Sequence, residues 1–158
     1  MTETLILNNR KVILMKKIIA LTILALAFLA GCKSREAVSV DLSKICAVDN
    51  EKKYVTTSGF IDDRGSVFCS NIGGGRMDCG FDVIAAPGGT RVFGADIEEG
   101  SGANKVEKLE SGYKSGDIKI HDNGGNIIKL SDKVTLTGEM SIAPDGSVCF
   151  MEVDKIEK

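Results

Sequence analysis

Between Asp117 and Ile156 the chain holds runs in which apolar and polar residues alternate with a period of two, most cleanly in Lys133–Ile142, and this constrains the fold more than any other feature of the chain. In Lys133–Ile142 it sets Val134, Leu136, Met140 and Ile142 on one face. A helix would scatter those residues around its circumference, whereas a strand gathers them on one side. Turn chemistry falls between the runs. Asn123-Gly124 divides Asp117–Asp122 from Asn126–Leu130, and its type predicts a two-residue hairpin turn. Pro144-Asp145-Gly146 precedes Ser147–Ile156, predicted as the final strand with Cys149, Met151 and Val153 facing inward.

Upstream, the same criteria predict strands over Tyr54–Ile61, Ser66–Asn71, Arg76–Ala85 and Arg91–Ile97. They are separated by Asp62-Asp63-Arg64-Gly65, by the glycine run Gly73–Gly75, and by Ala86-Pro87-Gly88-Gly89. Two short helices are expected. One lies in Asp41–Val48, with Asp41 or Ser43 as cap. The other is capped by Asn104 with Glu107 at capping-box spacing, Val106 and Leu109 on one face and Gly112 beyond its end. The fold class is therefore all-β, a small barrel or sandwich with one or two short helices.

The N-terminus reads differently. Ile18–Ala30 is a run of 13 residues, apolar apart from Thr22 and preceded by Lys16-Lys17. A membrane-spanning helix needs about 20 such residues, and here small residues and a cysteine follow in place of a basic stop signal. A positive segment, a short apolar core and small residues before a cut predict a signal peptide over residues 1–31. Met15-Lys16-Lys17 makes a more conventional start than Met1. Leu29-Ala30-Gly31-Cys32 is similar, residue for residue, to the lipobox of bacterial lipoproteins. The resemblance implies that Cys32 becomes the mature N-terminus, carrying acyl chains that anchor it to a membrane of the cell envelope. With no Asp after Cys32, the outer membrane is favoured over the inner. Residues 32–40 would be a lipidated tether and 41–158 a single β domain.

Beyond residue 31 the chain holds 16 basic and 21 acidic side chains, a net charge of −5. Such a surface repels phosphate backbones, so nucleic acid is not an expected partner. With Cys32 set aside, Cys46, Cys69, Cys79 and Cys149 remain, and an even number in a secreted domain predicts two disulfides with three possible connectivities. Cys69–Cys79, closing a local loop around the glycine run, with Cys46–Cys149 is the favoured pairing. No C-x-x-C pair is present and His121 is the only histidine, so zinc and redox-dithiol sites are disfavoured and no metal or cofactor is expected.

The order of strands, together with D-K-V-x-L-x-G-x-M and the later D-G-S-V-C-F-x-E-V-x-K-I-E, resembles small secreted OB-fold proteins. Val134, Gly138, Phe150, Val153 and Ile156 carry the likeness. It covers Tyr54–Glu157 and departs from a five-stranded barrel in having surplus extended runs between Gly73 and Asp122. The OB likeness implies ligand binding on one sheet face and its adjoining loops, without fixing the ligand.

Chemistry-bearing residues are few. His121 lies beside a hairpin tip, and a catalytic role would require a carboxylate and a nucleophile in reach. Asp62 and Asp63 form an acidic pair without the alternating spacing of a calcium loop. Gly74 and Arg76 combine backbone donors with a cation and are candidates for holding an anion, although no phosphate-loop motif is present. The resulting expectation is a non-catalytic binding module whose partners are the membrane, through its lipid, and an envelope protein or small ligand. The alternatives are a carrier of a small ligand or metal ion, and an enzyme acting on envelope glycan or peptide.

Overall fold

The computed structural model describes residues 35–63, 66–71 and 75–158. Met15, the apolar run, Cys32 and Gly74 lie outside them. Strands dominate because β-branched and apolar residues recur at every second position. In chain order they are β1 (Val38–Ser39), β2 (Tyr54–Asp62), β3 (Phe68–Ser70), β4 (Asp78–Ile84), β5 (Arg91–Glu98), β6 (Ile120–His121), β7 (Ile127–Ile128), β8 (Lys133–Ile142) and β9 (Cys149–Glu157).

The larger sheet has the order β1-β2-β8-β9-β5-β4-β3, and a further β2–β4 pairing through Phe60–Asp62 closes it on itself. The closed ring is β2-β8-β9-β5-β4, antiparallel throughout except for the β5–β9 pair. Numbered by their order in the chain, the ring strands follow 1-4-5-3-2, the circuit of an OB barrel. Strands β1 and β3 lie outside the ring as added edges. Closure leaves the five ring strands with few exposed backbone edges.

Inward-facing side chains fill the barrel: Val55 and Ile61 from β2, Phe81 and Val83 from β4, Phe93, Ala95 and Ile97 from β5, then Leu136, Met140, Met151, Val153 and Ile156. Each end is covered. At one, the segment between β1 and β2 crosses the opening, sinking Ile45 into the core and bonding Cys46 to Cys149 at 2.03 Å. At the other, the connection between β5 and β8 buries Val106, Ile118, Ile120 and Ile128. The second disulfide, Cys69–Cys79 at 2.02 Å, staples β3 to β4 across directly opposed residues. These are the two pairs favoured on sequence grounds.

Three expectations are corrected. The helix after Asn104 is absent; among the described residues the only helical pieces are 3-10 turns at Leu42–Lys44, Val48–Asn50 and Ser115–Asp117. Asn104 sits at φ 60°. Its side-chain oxygen accepts from the Ile156 N–H at 2.8 Å, tying the connection to β9. Val106 then extends, its N–H donating to the Glu98 carbonyl at 3.0 Å. Burying a β-branched residue in the barrel mouth outweighs a capping signal that only local bonds support. Second, the Asn123-Gly124 turn is longer than two residues. The Gly125 N–H donates to the Asp122 carbonyl at 2.9 Å and Gly125 takes φ 79°, so the left-handed position falls one residue later. The Asp122 carboxylate supports this by accepting from the N–H groups of Gly124 and Asn126, both at 2.8 Å. Third, the stretch assigned to the tether is already structured at Val38–Ser39, which pairs in parallel with Val55 and Thr56. Within Asp41–Val48, Asp41 is the cap, accepting from the Ser43 N–H at 2.8 Å.

Candidate functional site

The outer wall of β4, β5 and β9 gathers most of the polar chemistry. Strand parity sends Asp78, Gly80 and Asp82 outward from β4, Asp96 and Glu98 outward from β5, and Glu152 outward from β9. Register then places Asp78 opposite Glu98, Asp96 opposite Glu152, and Asp62 opposite Asp82. Like charges directly across a ladder repel. Cations beside the carboxylates offset this. Arg76 donates to Asp78 at 2.8 Å and to Glu152, and lies 3.9 Å from Glu98. Lys105 pairs with Glu98, and Arg91 with Asp82 at 3.3 Å. Asp96 is held above the ordinary carboxylate range, first by burial and then by the charges of Asp78 and Glu152.

The residues singled out for binding do not converge. Arg76 turns toward three carboxylates, which suits neutralising the wall better than holding an anion. Asp62 ends β2 on the outer face, and Asp63 is buried beside it, its carbonyl accepting from the Ser66 N–H at 2.8 Å. The pair is not brought to Arg76.

His121 meets a carboxylate after all, that of Glu107, with Nε2 3.0 Å from Oε1. Its Nδ1 lies 3.1 Å from the Gly125 carbonyl oxygen. Both ring nitrogens thus face acceptors, an environment that stabilises the doubly protonated ring. The carbonyl of Gly125 and then Glu107 raise the His121 pKa, while Glu107 is lowered by His121 and then by Lys119. The ring braces the hairpin; with both nitrogens engaged it is poorly placed to take a proton from a nucleophile. Cys69, Cys79 and Glu99 approach one another closely enough to share an ion, but the two sulfurs are bonded to each other and offer no thiolate.

Beside the acidic wall stands an exposed aromatic ring. Phe68 stands opposite Gly80, on the same face, and is 75% exposed; Met77 is also exposed. Glycine at position 80 leaves the space next to the ring open, so that Phe68, Asp96 and Glu152 lie along one cross-strand row. Strand β3, which carries Phe68, is the last in the sheet order. Sequence reading passed over Phe68, yet parity held the clue: with Cys69 paired to a buried Cys79, its neighbour must face outward. A separate groove of about 540 Å³ opens where β2 has left β1 and not yet joined β4, lined with hydroxyls of Ser39, Thr56, Ser58 and Thr135.

Compared with known protein families, curated proteins and solved structures, the chain matches none. Among the described residues no helix is long and apolar enough to cross a membrane.

Proposed function

We propose that this chain is a lipid-anchored protein of the bacterial cell envelope, held through Cys32, whose barrel is a non-catalytic module binding another envelope protein. The outer membrane is its favoured site. Phe68 carries the reading: a large aromatic ring is left in water on an edge strand that a disulfide holds in place. Aromatic residues presented rigidly beside polar groups are the usual anchors of protein interfaces, since little side-chain freedom is lost on binding. The carboxylates beside Phe68 favour a partner segment carrying basic residues. The engagement of both His121 nitrogens supports a binding role over a catalytic one.

The test is site-specific photocrosslinking in intact envelopes. Benzoylphenylalanine in place of Phe68 is expected to give one discrete adduct. The same probe in place of Thr90, exposed in the β4–β5 turn, should give none. Adducts of equal yield from both positions, or none from position 68, refute the reading.

A further inference from the structure

We infer that the end of the barrel crossed by the segment between β1 and β2 is a membrane-resting surface, seated on the anionic bilayer that holds Cys32; this rests on the lipid-anchor reading above. The first observation is length. Val38, where the chain is already paired into the sheet, comes only six Cα–Cα steps after Cys32. Fully extended, those steps reach about 21 Å. The domain of 123 residues from Glu36 to Lys158 is about 35 Å across by compact-globule scaling. The tether is therefore shorter than the body it holds, and the domain has no room to tumble clear of the surface.

The second observation is what that end presents. Val38, Val48 and Val148 are 57%, 52% and 48% exposed. Val38 pairs beside the start of β2, Val48 follows Cys46 by two residues, and Val148 immediately precedes Cys149. The Cys46–Cys149 bond holds the last two neighbourhoods together. Singly, an exposed valine is ordinary; three at the end the tether leaves from suit shallow contact with a headgroup layer.

The third observation is charge. Residues 33–55 carry five basic and four acidic side chains, with Lys44, Lys52 and Lys53 exposed, whereas residues 56–158 carry eleven basic and seventeen acidic. An anionic surface therefore repels the rest of the barrel far more than this segment, whose exposed lysines offset its carboxylates. The barrel would then stand with the β5–β8 connection farthest from the lipid and the row of Phe68, Asp96 and Glu152 on its flank.

The chain has no tryptophan, so single substitutions report position without background. Full-length lipidated protein is reconstituted into vesicles of phosphatidylethanolamine and phosphatidylglycerol containing brominated phosphatidylcholine. Flotation is scored first, then emission from V48W, V148W, F68W and I127W. Flotation with V48W and V148W quenched roughly twofold, and F68W and I127W nearly unquenched, is the expected result. Flotation with quenching no stronger at Val48 and Val148 than at Phe68 and Ile127 overturns the seating and leaves the anchor reading intact. Failure to float removes the anchor reading and the seating with it.

Discussion

Replacing Gly138 by alanine tests the barrel most directly. Gly138 lies where the β8–β9 register slips: Thr137 pairs with Lys155 but Gly138 with Val153, leaving Asp154 without an opposite residue. The bulge brings the two backbones together. A Cβ on residue 138 would lie 2.0 Å from the Glu152 carbonyl oxygen and 2.9 Å from Met151 Cγ, where ordinary contact begins at 3.4 Å. The obstruction is main chain in the middle of a ring strand, so no rotamer change relieves it and β8 and β9 must part. Overpacking in a core costs about 1–3 kcal/mol, and a backbone obstruction belongs at the upper end, about 3 kcal/mol. With a urea slope of about 1.5 kcal/mol/M, the unfolding midpoint should fall by about 2 M. Gly80→Ala is the control. It too changes a strand glycine, but its Cβ would meet nothing closer than the Asp96 Oδ1 at 3.4 Å, so its effect should stay within about 0.5 kcal/mol. Equal midpoints for the two variants would refute the close-approach argument.

The two disulfides should differ in effect. Their sequence separations are 103 and 10, and loop-closure entropy assigns about 4.7 kcal/mol to Cys46–Cys149 against about 2.8 kcal/mol to Cys69–Cys79. Paired Cys→Ser variants compared by urea titration check this, and a larger loss at the shorter loop would contradict it. For His121 the native pKa is raised, so the native state binds the proton more tightly than the unfolded chain does. The stability this supplies is complete below the unfolded value near 6.5 and disappears as pH rises through the raised native value. His121→Gln should flatten the decline in melting temperature over that window, and unchanged pH profiles in the two proteins would show that the ring contributes nothing.

What could be read from the sequence follows the range of the interactions involved. Lys133–Ile142 was legible to the residue because its alternation reflects one buried face and nothing else competes there. The cysteine pairing was legible because few cysteines remain to be matched. Asn104–Gly112 misled because a capping signal operates over four residues, while Val106 responds to a barrel opening assembled from strands far away in the chain. Arg76 was noticed, but its role was not: Glu152 is 76 residues distant and becomes its neighbour only through the β5–β9 pairing. The carboxylate wall was hidden for the same reason. Asp78, Asp96 and Glu152 look like scattered surface charge until register aligns them.

The place of β9 has a consequence for how the domain is made. It is the last barrel strand to be synthesised, yet it lies between β5 and β8 and supplies Cys149 to a thiol more than a hundred residues earlier. No sub-barrel can be completed from the preceding strands, and Cys46 has no legitimate partner until the final segment emerges. Folding therefore waits on the whole chain, and long-range closure of this kind is slow. A product stalled or clipped before β9 keeps an unmatched thiol and an open sheet.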